Sequence, residues 1–256
     1  MDKITLVITS FNPNPILLNR LLKSAKGFDE IILHIDSASN PHLIAECVNM
    51  QSPSSLRYYY NPEHLRIEEA YNAMIKEAQD GWICAFCDDD YFEEDGLLSM
   101  QTAIRVGDAK DCDIATFQTF VTGFAPWRDK GSILVECVNR FIAPLLMKKG
   151  VELKARRFYG RSHVNAKTIE WQSNIPAGAF FRKSAWEKSG GFSGSIAHDW
   201  ILWLKMARQG MVFKFFPYIV YTYERRENSA WFRQFRSIAH GSMKELRKIV
   251  DREATI

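Results

Sequence analysis

Residues 82–90 read Trp82-Ile83-Cys84-Ala85-Phe86-Cys87-Asp88-Asp89-Asp90. An uninterrupted apolar run of this length suits a strand covered on both faces, as in a parallel sheet. It ends abruptly in three carboxylates, which places them at the strand's carboxyl end, where open α/β sheets bind ligands. Upstream, Ile67, Ala70, Tyr71, Met74, Ile75 and Ala78 recur at helical spacing and predict a helix over roughly His64 to Gln79. Leu56–Tyr60, Glu30–Ile35 and Ile4–Thr9 read as three further strands. Asn14-Pro15 looks like a cap followed by proline at the first helical position, ahead of Leu17, Leu18, Leu21 and Leu22 and a closing Gly27.

Downstream, the sequence predicts strands over Ile114–Val121, Ile175–Phe181 and Met211–Tyr223, the last interrupted by Pro217. Helices are expected over Lys183–Ser189, closed by Gly190-Gly191, over Asp199–Gln209, and over an amphipathic Ala230–Val250. Between them, Ile133–Met147 looks helical, with Pro144 kinking or ending it. Strands alternating with helices predict an α/β, Rossmann-like, mostly parallel central sheet flanked by helices, with a C-terminal helical extension. Ser10-Phe11-Asn12, Asp36-Ser37 and Asp88-Asp89-Asp90 then meet along one edge of that sheet.

The chain has 256 residues, 46% hydrophobic and 25% charged, with a net charge of +3. That suits one packed domain with an extension and gives no electrostatic case for a nucleic-acid partner. Five cysteines at scattered spacing, Cys47, Cys84, Cys87, Cys112 and Cys137, argue against a disulfide framework. Cys84 and Cys87 read as buried strand residues, with no second pair to complete a zinc site. No signal-peptide pattern opens the sequence, and no stretch reaches the roughly 18 apolar residues a membrane span needs. The expected location is cytoplasmic, with peripheral contact at the inner face of the membrane as an added expectation.

Two like charges about 4 Å apart repel by about 4 kcal/mol at an effective dielectric near 20. A divalent cation removes that cost, and carboxylate oxygens are the hard ligands that Mg²⁺ and Mn²⁺ prefer. Magnesium commonly binds through one or two carboxylates plus substrate phosphates, so a nucleotide diphosphate is a natural co-ligand. The other reading is a solvated acidic turn that starts the next helix, since Glu93, Glu94 and Asp95 continue the acidity.

Taken in order, several segments resemble the family 2 glycosyltransferases, inverting enzymes of the GT-A fold. "ITLVITSFN" at residues 4–12 is similar to that family's first strand and turn, and "IILHIDSAS" at 31–39 to its Val-Asp-Asp-Gly-Ser element. Ala70-Tyr71-Asn72 resembles its Ala-Arg-Asn segment, "FCDDD" at 86–90 its Asp-x-Asp motif, and Gly190-Gly191-Phe192 with Asp199 and Gly210 its acceptor-side segment. The resemblance implies a nucleotide-sugar donor, UDP favoured, and a divalent metal, Mn²⁺ or Mg²⁺. It implies that Ser10, Phe11, Asn12, Asp36, Asn72, Asp88 and Asp89 hold the nucleotide, with Asp36 accepting from the base. Asp90, with Asp88, would hold the metal, and Asp199 would be the general base. His198 and Trp200 become candidates for the acceptor, Trp200 by stacking, and Arg225 and Arg226 candidates for phosphate. Departures are Ser37 for the second acidic residue, Tyr71 for arginine, and His198 for the glutamate before the base.

On this reading residues 1–107 form a nucleotide-sugar-binding half, 108–223 an acceptor-binding half with a partly helical insert near 130–170, and 224–256 the C-terminal helix. The acceptor is a hydroxyl of a glycan or a lipid-linked molecule. Basic residues at Lys148, Lys149, Lys154, Arg156, Arg157 and Arg161, and along the last helix, offer a surface for an anionic acceptor or membrane. Two other readings are a sugar-1-phosphate nucleotidyltransferase and a non-catalytic binding module of the same fold. The first calls for a glycine-rich basic loop, which Ser10-Phe11-Asn12-Pro13 does not supply.

Overall fold

The computed structural model describes residues 2–51, 55–123, 157–159, 164–171, 173, 175–194, 196–225 and 243–255. Four strands open it: β1 (Lys3–Phe11), β2 (Glu30–Asp36), β3 (Leu56–Asn61) and β4 (Gly81–Cys87). They lie side by side as β3-β2-β1-β4, all parallel. Parallel neighbours need crossovers, which α1 (Pro15–Ser24), α2 (Pro41–Gln51) and α3 (Ile67–Glu77) provide. Strand alternation splits the apolar residues between two layers. Ile4, Leu6 and Ile8 pack with Leu18, Leu21 and Trp82 on one face, whereas Val7 packs with Ile32, Tyr71, Ile75 and Ile83 on the other. The cap read from Asn14-Pro15 is present: Asn14 Oδ1 accepts from the Ile16 N–H at 2.9 Å.

The second half contains β5 (Tyr91–Phe92), α4 (Glu94–Arg105), β6 (Ile114–Gly123), β7 (Arg157–Tyr159), α5 (Ala166–Trp171), β8 (Phe180–Arg182), α6 (Lys183–Lys188), α7 (His198–Arg208), β9 (Phe213–Arg225) and α8 (Met243–Glu253). It extends the sheet as β4-β8-β6-β9-β5, with β7 on β6. β6 and β9 are parallel, while β8, β5 and β7 run antiparallel to their neighbours. The expected strand over 175–181 shrinks to Phe180–Arg182 because residues 175–179 form a turn, closed by Ala179 N–H to Pro176 C=O at 3.1 Å. Pro217 marks a slip in the β6–β9 register, which jumps from Thr116–Phe215 to Gln118–Ile219. A proline offers no N–H to the ladder, so the chain bulges there.

Helix α4 lies directly on β9. A Cβ on Gly96 would stand 1.7 Å from the Ile219 carbonyl oxygen. Neither helix backbone nor strand backbone can yield cheaply to that contact. Gly96→Ala should therefore cost about 3 kcal/mol or more, a fall in Tm of roughly 10 °C in a thermal melt.

Of the insert near 130–170, β7 and α5 are described. The Ile133–Met147 stripe, the kink at Pro144 and the basic cluster from Lys148 to Arg156 lie outside the described residues, as does the last helix before Met243. Among the described residues no helix is long and apolar enough to cross a membrane.

Candidate active site

The parallel register aligns Phe11 at the end of β1 with Asp36 at the end of β2. Just beyond them the chain turns sharply. Asn12 and Ser37 both adopt left-handed backbone, φ 47° and φ 50°. Hydrogen bonds fix the two turns together. The Asn12 N–H donates to the Asp36 carbonyl at 3.0 Å, and Asn12 Oδ1 accepts from the Ser39 N–H at 2.8 Å and from Ser39 Oγ at 2.6 Å. Asp36 is buried, 3% exposed. Its Oδ2 accepts from the Leu65 N–H at 3.1 Å, while its Oδ1, sealed from solvent, has no hydrogen-bond donor among the described residues. His34 Nε2 lies 3.4 Å from that Oδ1, and burial holds the His34 imidazole towards its neutral form against the pull of Asp36.

The acidic triplet sits at the neighbouring strand end. Ser10 Oγ donates to Asp88 Oδ2 at 2.5 Å, tying β1 to the first aspartate. Asp90 is buried, and its Oδ1 accepts from the Glu224 N–H of β9 at 3.0 Å. Arg20 of α1 donates to the Asp89 carbonyl at 3.0 Å and to Glu224 Oε2 at 2.6 Å, with its guanidinium 4.3 Å above the Tyr91 ring. The triplet is thus braced from β1 and α1, 78 and 69 residues before it, and from β9, 134 residues after it. Cys87, just before it, has its thiol pushed well up by burial and then by the three adjacent carboxylates, so it stays protonated.

A third left-handed residue, Ala197 with φ 54°, precedes α7 and delivers His198 and Asp199 as its first two residues. Asp199 is therefore not the helix N-cap, which is Ala197 and has no capping side chain. Among the described residues no hydrogen bond is made to the Asp199 carboxylate, which is half-buried. His198 packs beside the stacked Tyr71 and Phe192 rings, at centroid distances of 5.9 and 5.8 Å. Burial lowers its pKa, with Asp199 and Glu68 pulling the other way. Tyr71 joins this helix start to the acidic triplet: its hydroxyl donates to the Phe86 carbonyl at 2.9 Å, two residues before Asp88. Among the described residues these three are the only non-glycine positions in left-handed backbone. Each costs of order 1–3 kcal/mol, and such strain concentrates at functional sites. All three stand at the turns that aim Asn12, Asp36 and Asp199.

Two expectations need correction. Trp200 cannot stack on an acceptor sugar. It is 3% exposed, packs in the core, and donates its indole N–H to the Ile169 carbonyl at 2.6 Å. The one-residue step from Asp199 turns it about 100° around the helix, into the core. Asn72 is bonded into the fold rather than presented to a nucleotide. It donates to the Phe192 carbonyl at 2.8 Å and accepts from the Phe192 N–H at 2.8 Å and Trp186 Nε1 at 3.2 Å, holding the turn at Gly191. The Arg225 side chain and all of Arg226 lie outside the described residues. Sequence reasoning missed Arg20, one of two cations on the polar side of α1, and the brace from Glu224, which no local pattern announces.

A family model described as Glycosyl transferase family 2 matches residues 5–190, and one described as Glycosyl transferase family group 2 matches residues 159–253. Among solved structures, S. aureus TarS 1-349 in complex with UDP-GlcNAc is 14% identical with a TM-score of 0.59, covering 90% of this chain and 60% of that one. S. aureus TarS itself is 13% identical with a TM-score of 0.60, covering 88% and 37%. The chain thus spans less than two thirds of these proteins, and at such identity the likeness shows the fold, GT-A. Comparison with curated protein sequences gives no match. With the first model covering well over half of its residues, from β1 to the glycine turn after α6, the chain belongs to glycosyl transferase family 2.

Proposed function

We propose that the protein transfers a sugar from a UDP-sugar to a hydroxyl of a glycan or lipid-linked acceptor, with inversion at the anomeric carbon. The observation that carries this reading is the gathering of Ser10, Asp36, Asp88 and Asp90 at one sheet edge, with the start of α7 tied to that edge through Tyr71. The UDP-GlcNAc complex of TarS supports the donor class.

In this reading the Asp36 carboxylate accepts a hydrogen bond from the base, Phe11 and Asn12 line the nucleotide, and Asp88 and Asp89 face ribose and diphosphate. Among the described residues no three His, Cys, Asp or Glu side chains converge on one point as a metal cage. Asp88 and Asp90 supply hard oxygens only, and the neighbouring Cys87 is kept protonated. That donor set suits Mg²⁺ or Mn²⁺ sharing its coordination with a diphosphate. Bound there, the cation supplies Lewis-acid stabilisation of the departing diphosphate. Asp199 takes the proton of the acceptor hydroxyl as that oxygen bonds to the anomeric carbon and the bond to UDP breaks. Attack from the side opposite the leaving group inverts the centre. His198 and the segment around Arg225 and Arg226 flank acceptor and phosphate respectively. The basic surfaces guide an anionic acceptor or the inner face of a membrane, and the halves 1–107 and 108–223 divide donor from acceptor.

Thermal shift tests the donor side. UDP with Mn²⁺ should raise Tm by several degrees, more than UDP alone and more than ADP or GDP with Mn²⁺. A Tm indifferent to every nucleotide diphosphate, with or without Mn²⁺, would end the reading.

A further inference from the structure

Above the buried Asp36 carboxylate stand two exposed rings from different turns. Phe11 closes β1 and is 56% exposed. His64 belongs to the loop from β3 to α3, and its side chain is 57% exposed. Their centroids are 4.2 Å apart, and His64 Nδ1 is 3.7 Å from Asp36 Oδ2. The loop that carries His64 is pinned at both ends. Ser37 Oγ donates to the Pro62 carbonyl at 3.1 Å, the Glu63 N–H to Asn61 Oδ1 at 3.1 Å, and the Leu65 N–H to Asp36 Oδ2 at 3.1 Å. An exposed histidine is thus held in place by bonds to its neighbours, beside the Asp36 oxygen that already accepts from the Leu65 N–H.

The geometry points to His64 as the second jaw of a base clamp: a flat, N–H-bearing pyrimidine enters between the Phe11 and His64 rings and donates to the Asp36 carboxylate at the Oδ2 side, where His64 stands. The inference rests on Asp36 being the base acceptor, and adds a residue that grips the base from its other face. Two rings in contact must part by about the thickness of one aromatic layer to admit a base. Base stacking on an aromatic side chain is a sequence-tolerant attraction, and its loss weakens binding by between about fivefold and a hundredfold.

Calorimetric titration of UDP, UMP and inorganic pyrophosphate, each with Mn²⁺, tests this in the wild type, His64→Ala, His64→Phe and Asp36→Ala. His64→Ala should weaken UDP and UMP by the same factor, at least about fivefold, and leave pyrophosphate unchanged, while His64→Phe restores the affinity. Unchanged UDP and UMP affinity in His64→Ala, with loss in Asp36→Ala, overturns the clamp and leaves the nucleotide site standing. Equal loss in His64→Phe and His64→Ala overturns stacking as its basis. Indifference of both positions, or no binding of UDP and UMP to the wild type, overturns the clamp and the reading of Asp36 together.

Discussion

Asp199→Asn should lower the rate of sugar transfer by about 10²- to 10⁴-fold while leaving UDP affinity within about twofold. The substitution keeps shape and removes the ability to take a proton. Among the described residues none donates a hydrogen bond to the carboxylate, and the N-cap is its neighbour but one, Ala197. What stability it adds comes from a negative charge in the first helical turn, worth roughly 0.3–1 kcal/mol. A melt within about 3 °C of the wild type is expected alongside the lost activity. Steady-state kinetics with the UDP-sugar that the protein turns over would show the fall in kcat. Wild-type turnover in the variant would remove Asp199 from the chemistry.

Asp90→Asn is expected to abolish the Mn²⁺-dependent part of UDP binding and to reduce transfer by at least about 10³-fold, the scale of losing electrostatic stabilisation of a leaving group. Asparagine matters here because Asp90 also braces the fold. Its Oδ1 accepts from the Glu224 N–H, and an alanine would leave that N–H unpaired at a cost of about 1–3 kcal/mol. The amide keeps an acceptor and removes the charge, so loss of the Mn²⁺ effect on the UDP thermal shift separates cation binding from stability. An unchanged Mn²⁺ effect would move the cation away from this residue.

The parallel half of the sheet was legible because its strands are apolar runs that end in turn chemistry, and Asn14-Pro15 and Pro217 act locally enough for position alone to reveal them. The carboxyl-edge residues followed from strand order. The antiparallel strands were harder to foresee: β8 keeps three residues and β5 two, too few for a period to show. Trp200 was misread because adjacency to Asp199 in sequence says nothing about which side of α7 it faces. Asn72 was misread for a related reason, since its partners, Trp186 and Phe192, lie 114 and 120 residues away. Tyr71, visible in the sequence only as a departure from arginine, packs its ring against His198 and holds the Phe86 carbonyl with its hydroxyl. His64 and Arg20 carry no local signature, and their positions follow only from the way β3 and α1 pack beside β1 and β4.

A crystal structure of the protein with UDP and Mn²⁺ would bear most directly on whether one donor lies between the two acidic centres. The expected result has the uracil on Asp36, the diphosphate and cation against Asp88 and Asp90, and the Asp199 carboxylate opening onto the same cavity beyond the terminal phosphate. UDP bound elsewhere, or an Asp199 carboxylate walled off from the diphosphate by the body of α7, would contradict it.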